Sequence, residues 1–457
     1  MKAFSKDTYS KRRDILKKNV ESGIIVLMGN QESSVNFKDN WYPFRQDSTF
    51  LYYIGIDIPD VMAIIDVDSG EEVLFGDDLS IDHIVWTGPQ PTVQELASEV
   101  GISKSLPLSK VEEYIKSASG RNVHILPPYR PENTVKLQSW LGKVAPSEEL
   151  IRAVVKQRSI KSKEEVAEID KAVTISAQMH LEIIKNARPG MKEHELVGMV
   201  QGTAVGAGGT LAYPAIITVN GQILHNHYYG NTLKEGDMVL CDTGAEASSH
   251  YAGDLTRTFP VSKQFTSEQR DLYQIVLDSQ NAAIDMLKPG VKFKDVHLTA
   301  CAKLVDGLKT IGLMKGDTAE AVDAGAHAMF FQCGLGHLMG LDVHDMEDLG
   351  EQFVGYDEPK STQFGLKSLR LGKELEAGNI VTVEPGIYII PELIDLWGKE
   401  KKFDQFINYD KLNDFRDFGG IRIEDDFVID EEGHTLLGEP LAKEIKDIEA
   451  IREASFS

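Results

Sequence analysis

Five short segments of the chain set an acid or a histidine on or beside an apolar, β-branched run. They are DMVLCDTGAE (237–246), HYAGDLTRTFPV (250–261), GLGHLMGLDVHD (334–345), IVTVEPGIYI (380–389) and GGIRIEDDFVI (419–429). A half-buried strand face disfavours ionised side chains unless they are paired or bound to a metal. Four carboxylates (Asp242, Asp254, Glu384, Glu424) and one imidazole (His337) converging on one point would repel without a cation. With two divalent ions between them they make a dinuclear hydrolase site. Such ions share bridging carboxylates, lie roughly 3.5–4 Å apart and hold a hydroxide nucleophile at neutral pH. Hydrolysis of an acyl or phosphoryl group follows as the reaction class. One imidazole against four carboxylates is a hard, oxygen-rich donor set; it suits Mn²⁺, then Co²⁺, Zn²⁺ or Fe²⁺.

The spacing around each residue gives a local expectation. Asp242 ends a strand and Asp254 lies in the next, so a reversal at Gly244 and Ser248-Ser249 sets them side by side on antiparallel strands. His337 sits among Gly334, Gly336 and Gly340, where missing side chains allow a close backbone approach. Glu384 precedes Pro385-Gly386, so its strand must break just after the acid. In IRIEDDFVI, alternation puts Arg422, Glu424 and Asp426 on one face. Arg422 there is either a surface ion-pair partner of Glu424 or a group that orients it as a ligand. His225, His227 and His344 are not needed as ligands, and their positions near strand and glycine signals suit contacts to an oxyanion and a substrate.

The elements that position these residues fall in two blocks. From residue 1 to 158, a basic amphipathic helix over 9–20 is followed by the strand GIIVLMG and by a hairpin, VMAIIDVDSGEEVLFGD, turning at Asp68-Ser69-Gly70. The strand NVHILPP ends this α/β domain. From 159 to 457 helices alternate with hairpin-like strands, an α+β pattern. A helix capped by Ser162 runs to Pro189-Gly190, and another from Ser267 to Leu287 ends at Pro289-Gly290, which hints at internal duplication. Residues 350–371 and 391–418 read as long connections rimming a pocket.

Composition narrows the class. A net charge of −23 argues against nucleic acid or an anionic membrane as partner, since both need a basic face. Cys241, Cys301 and Cys333 are scattered without a CxxC pair, as in a reducing compartment. The charged N-terminus has no apolar signal core, and GIIVLMG is too short to span a bilayer, so a cytoplasmic enzyme is expected.

This combination resembles the pita-bread metallopeptidases, specifically the proline-directed branch of aminopeptidase P and prolidase, over nearly the whole chain. The matching motifs are LCDTGAE, YAGDLTRTFP, GLGHLMGLDVHD, TVEPGIYI and GIRIEDD, with YPFRQDSTFLYYIG similar to the family's front domain. The resemblance implies a C-terminal pita-bread (creatinase/aminopeptidase) fold behind a smaller α/β domain. It implies that Asp254 and Glu424 bridge two metals, that Asp242 holds one ion, and that His337 and Glu384 hold the other, Glu384 also shuttling a proton. His225 resembles the family's catalytic histidine, with His227 the alternative assignment, and His344 the one contacting the scissile carbonyl. Arg422 resembles the arginine of the GIRIED motif.

Within the branch, GLKSLRLGKELEAG is closer to prolidase, where an arginine at the position of Arg370 binds the carboxylate of a C-terminal proline. The implied activity is hydrolysis of Xaa-Pro bonds at the N-terminus of peptides, as an Xaa-Pro dipeptidase or, as the alternative, an aminopeptidase P on longer peptides. A non-catalytic pita-bread binding module is the third reading, and such proteins lose metal ligands whereas all five are kept here. A homodimer is implied as well. The pattern departs at Cys333: members usually carry a histidine there that lines the substrate pocket, so selectivity rather than metal binding is where the change acts.

Overall fold

The segment Ile24-Ile25-Val26-Leu27-Met28 contains no polar residue and forms one of the inner strands of a five-stranded sheet, a position such a run suits because both its faces are covered. The computed structural model describes residues 3–456, in two units. One holds the residues up to Arg158 together with Met346–Phe353; the other holds Ser159–Asp345 and the residues from Val354 onward.

In the first unit, α1 (Lys6–Lys18) begins at a Ser5 cap, three residues before the start that the sequence pattern predicts, because the Ser5 hydroxyl accepts the Thr8 N–H. The sheet strands are β1 (Ile24–Met28), β2 (Met62–Asp66), β3 (Glu72–Phe75), β4 (Lys104–Leu106) and β5 (Val123–Ile125), ordered β4-β3-β2-β1-β5. The predicted hairpin is present as the antiparallel pair β2–β3, with Ile65 opposite Glu72. Helices α2 (Ser48–Tyr53), α3 (Ile81–Thr87), α4 (Val93–Glu99), α5 (Val111–Ser117), α6 (Pro131–Leu141) and α7 (Glu148–Arg158) complete it. Val26, Ile64, Val73 and Phe75 pack against Val111 and Ile115 of α5 and Leu137 of α6. Helix α3 is unlike the rest: Ile81, Val85 and Trp86 are 71%, 73% and 87% exposed.

The second unit is built on two helix pairs, α8 (Lys163–Asn186) with α9 (Glu193–Gly206), and α10 (Ser267–Ile284) with α11 (Phe293–Thr310). Capping boxes at Ser162/Glu165 and Thr266/Gln269 start α8 and α10. Gly190 and Gly290 follow the two prolines with φ of +94° and +82°, a region that glycine enters without strain. The repeat extends to the hydrogen bonds. Gly190 donates to the Leu233 carbonyl and Gly290 to that of Leu375, and the bridges Lys192–Thr232 and Lys292–Glu374 correspond. Nine residues past Leu233 stands Asp242; nine past Leu375 stands Glu384.

Short antiparallel sheets carry the acids. β6 (Thr210–Leu211) pairs with β9 (Ala245–Glu246), while β7 (Ile216–Thr218) and β10 (Thr256–Pro260) flank β8 (Met238–Asp242). β11 (Ile380–Val383) pairs with β14 (Asp425–Ile429), which also holds β15 (His434–Leu436), and β12 (Gly386–Tyr388) pairs with β13 (Gly420–Arg422). A bridge between Thr256 and Glu424 ties the two halves together. The connection over 391–418 contains a helix, Pro391–Lys399, that the sequence reading left out. No described helix is long and apolar enough to cross a membrane.

Candidate metal centre

Asp242 is the last residue of β8 and lies opposite Thr256 in the β8–β10 pairing. Asp254 therefore precedes β10 rather than lying within it, which corrects the expectation of two acids on paired strands. Its backbone N–H donates to Asp426 Oδ2 at 3.0 Å, and that bond anchors the irregular stretch before β10. Glu384 follows β11 directly, at the break that Pro385 and Gly386 impose. Glu424 sits in the gap between β13 and β14, bonded through its N–H to the Thr256 carbonyl at 3.1 Å. Strand pairing is interrupted at that gap, yet Arg422 and Glu424 both meet Thr256 Oγ1 and Asp426 meets Asp254, while Asp425 turns to Arg257 and Lys443, as the expected alternation implies.

His337 is fixed from both sides. Its backbone N–H donates to Thr382 Oγ1 at 3.2 Å, and its Nδ1 donates to the Leu338 carbonyl at 3.0 Å. That tautomer leaves Nε2 as a lone-pair donor, 3.5 Å from Asp254 Oδ2 and 3.8 Å from Glu384 Oε1. The segment reaches this position only because residue 336 is glycine: a Cβ there would lie 2.1 Å from the Thr382 carbonyl oxygen.

Four groups beyond the five candidate ligands hold the acids and the imidazole in place. The Tyr213 hydroxyl donates to Asp242 Oδ1 at 2.6 Å and also touches Asp254 Oδ1. Thr256 Oγ1 donates to Glu424 Oε2 at 2.6 Å. Thr382 and Asp426 hold His337 and Asp254 as described. Tyr213, Thr256 and Thr382 carry no charge, so only the contacts reveal them; Asp426 is expected on the face of Glu424, and the contact shows what it holds. Arg422 is buried and pairs with Asp242, not Glu424, while its Nη1 donates to the Tyr388 hydroxyl at 2.9 Å and its Nε to Thr256 Oγ1 at 3.2 Å.

Electrostatics shows what the arrangement accepts. Burial first, with repulsion from the neighbouring acids, pushes the Asp254 carboxyl up to about 7 and Glu384 up to about 8, and raises Glu424 well above the ordinary carboxylate range, although Arg422 opposes this at each of the three. One Glu424 oxygen, Oε1, is buried without a hydrogen-bond partner. Donor atoms of Asp254, His337 and Glu424 lie within 4.8 Å of one another. Dense negative charge, an orphaned carboxylate oxygen and an imidazole Nε2 turned toward two carboxylates fit divalent cations of oxygen-preferring type.

All of the residues expected to do chemistry line one cavity of about 300 Å³. His225, His227, His344, Arg370 and Cys333 stand on its walls around the acids. The His344 ring meets that of His337 edge-on, with centroids 4.3 Å apart. Burial, then the Arg422 charge, lowers the His225 pKa and keeps its ring neutral. The Cys333 thiol is pushed up to about 12 by burial and the nearby Glu384, and it donates to the Tyr388 hydroxyl at 3.8 Å. Of the two long connections, the first supplies Ser368 and Arg370; the second supplies none of the lining residues among those described.

The chain matches Metallopeptidase family M24 over residues 167–431 and the Aminopeptidase P N-terminal domain over residues 9–126. The Xaa-Pro dipeptidase of Homo sapiens is 32% identical over 454 residues, spanning 95% of this chain and 90% of its own. A probable Xaa-Pro aminopeptidase of Metarhizium acridum is 31% identical over 437 residues, spanning 94% and 85%. Among solved structures, aminopeptidase P from E. coli with the inhibitor Pro-Leu superposes with a TM-score of 0.81 at 29% identity, covering 99% of each chain. The zinc-substituted form of that enzyme in complex with product gives 0.82 at the same identity and coverage.

Proposed function

The chain belongs to metallopeptidase family M24, and on that premise we propose that it hydrolyses the Xaa-Pro bond at the N-terminus of peptides, with Xaa-Pro dipeptides as preferred substrates. The observation that carries the dipeptide reading is Arg370, a guanidinium on the wall of the same cavity as the acids. A guanidinium matches a free carboxylate through two parallel hydrogen bonds. In a dipeptide that carboxylate belongs to the proline itself, one residue from the bond to be cut.

Asp242, Asp254, His337, Glu384 and Glu424 would hold two divalent ions, Mn²⁺ by the hardness of the donors, with Co²⁺, Zn²⁺ or Fe²⁺ next. When bound, the ions supply Lewis-acid polarisation and a nucleophile at neutral pH. Glu384 takes up a proton and delivers it to the proline nitrogen, which as a tertiary amide carries none. His225, neutral and therefore able to donate from one nitrogen, and His344 bond to the carbonyl oxygen as it gains charge. His227 contacts the substrate from the cavity wall. Arg422 and Tyr213 keep Asp242 and Asp254 aimed inward, and Arg422 offsets part of the negative charge. Cys333 gives that wall a neutral thiol.

The second reading, an aminopeptidase acting on longer peptides, is favoured by relatives of that name at 31% identity beside dipeptidases at 32%. Protein stripped of metal and reloaded with Mn²⁺ is assayed on Ala-Pro, Gly-Pro and Ala-Pro-Ala, with Asp254→Ala as control. Metal-dependent release of proline from the dipeptides, weakened in Arg370→Ala, supports the first reading; clear preference for the tripeptide establishes the second. The three unpaired cysteines support a reducing, cytoplasmic location. The exposed apolar face of α3 supports a homodimer, which light scattering would detect as twice 50.7 kDa.

A further inference from the structure

Away from the acids, a second set of ligating side chains meets in the interior of the same unit. His297 and Cys301 lie one turn apart on α11, and His327 follows the end of the short helix α12 (Thr318–Ala324). All three are essentially inaccessible, at 0%, 0% and 1% exposure. Their donor atoms lie within 4.8 Å of one another. Buried imidazoles normally satisfy both nitrogens, yet His297 Nδ1 and both nitrogens of His327 lack a hydrogen-bond partner. The Val322 carbonyl acts electrostatically on the His327 ring, but neither nitrogen reaches hydrogen-bond geometry with it. The remaining contact is between Cys301 Sγ and His297 Nε2, at 3.4 Å.

We propose that His297, Cys301 and His327 form a binding site for a thiophilic d¹⁰ metal ion, Cu⁺, separate from the dinuclear acid site. The 3.4 Å between sulfur and nitrogen is close to the edge of a metal coordination polyhedron, which bond lengths of about 2.3 Å to sulfur and 2.0 Å to nitrogen set at roughly 3.5 Å. The two imidazole centroids are 6.3 Å apart, and sharing one ion brings them about 1 Å closer, a side-chain adjustment. One thiolate and two imidazoles are a soft donor set, the opposite of the carboxylate-rich site, so the two sites sort metals by chemistry.

Charge selects the ion. No carboxylate is among the groups acting on these three residues; burial and one another dominate, with Cys333 acting on Cys301. A thiolate and two neutral imidazoles around Cu⁺ give a neutral centre, whereas Zn²⁺ would leave a buried positive charge. Binding exchanges the Cys301 thiol proton for the ion, with no change of oxidation state. Cys333 both lines the catalytic cavity and acts electrostatically on Cys301, so it is the cysteine from which the proposed site must be told apart.

The test titrates Mn²⁺-loaded protein with Cu⁺ under anaerobic conditions against a competing Cu⁺ chelator. One equivalent is expected to bind, with near-ultraviolet thiolate-to-copper absorption and one copper–sulfur distance in X-ray absorption. Both signals should vanish in Cys301→Ser and in His297→Gln, persist in Cys333→Ser and survive equimolar Zn²⁺. Circular dichroism and retained Mn²⁺-dependent peptidase activity show that the Cys301→Ser and His297→Gln variants are folded. No stoichiometric Cu⁺ in the wild-type chain, binding that outlasts Cys301→Ser, loss in Cys333→Ser or displacement by Zn²⁺ would each overturn the proposal. None of these readings depends on the peptide substrate.

Discussion

Replacing Tyr213 by Phe removes one oxygen and almost no volume, so it isolates what the hydroxyl does. That hydroxyl touches Asp242 and Asp254 but carries a single proton, so with both acids ionised it donates to one at a time. Asp242 retains Arg422 when the phenol is gone. Asp254 retains only its weaker approach to His337 and its backbone bond to Asp426, and the loss falls mainly on it. A hydrogen bond to a charged group contributes about 1.5–3 kcal/mol. At about 1.36 kcal/mol per tenfold change, the affinity for metal that Asp254 would help to hold should fall by about 10- to 150-fold. The assay strips the protein and titrates Mn²⁺ while following proline release, with calorimetry in parallel. Excess Mn²⁺ should restore most of kcat. Unchanged Mn²⁺ affinity, or a kcat lost at saturating metal with affinity intact, would refute the reasoning and make Tyr213 a substrate group.

Three other perturbations test the same frame. Asp254 and Glu384 have folded-state pKa values raised to about 7 and about 8, so in the metal-free protein these two groups bind more protons than in the unfolded chain, and their contribution to stability is full below the ordinary carboxylate range and lost as pH rises to about 8. Below about 6.5 the buried His180, His297 and His327, whose pKa values are lowered, act in the opposite sense, so thermal melts should fall from about pH 6.5 to 8, a trend that Mn²⁺ abolishes. Lys161→Met takes away the ammonium that pairs with Asp345 at 2.7 Å, both side chains being 1% exposed, and should destabilise the protein in urea unfolding by up to about 3–5 kcal/mol. Gly336→Ala drives a methyl against the Thr382 carbonyl and should displace His337, seen as lost Mn²⁺ binding at near-native helix content by circular dichroism.

The acids and His337 were legible because each lies on or beside an apolar run, and a charge in that setting has few structural explanations. Periodicity located α8 and α10 for the same reason, and the Ser162 cap fixed the start of α8. What escaped was everything that depends on the chain meeting itself. Asp254 reads as a strand residue because HYAGDLTRTF alternates well, yet its bond to Asp426, distant in sequence, pulls it out of the ladder. Arg422 reads as a neighbour of Glu424, but burial turns it toward Asp242, which comes from the other helix-pair half. Tyr213 and Thr256 carry no charge and no motif. Cys301 reads as one of three scattered cysteines, although the helix places His297 one turn before it.

The matching helix pairs bear on when the centre comes into being. Asp242 and Asp254 belong to the first half of the repeat, while His337, Glu384 and Glu424 belong to the second. Neither half carries a complete donor set, and the Thr256–Glu424 bridge that joins them closes a loop of well over a hundred residues. Contacts of that sequence separation form late, because the entropy of closing the loop must be met before they contribute. Metal capture is then a terminal event of biogenesis: a nascent chain still lacking its last strands has no centre to load, and a chelator added during refolding would act on a finished domain rather than on an intermediate.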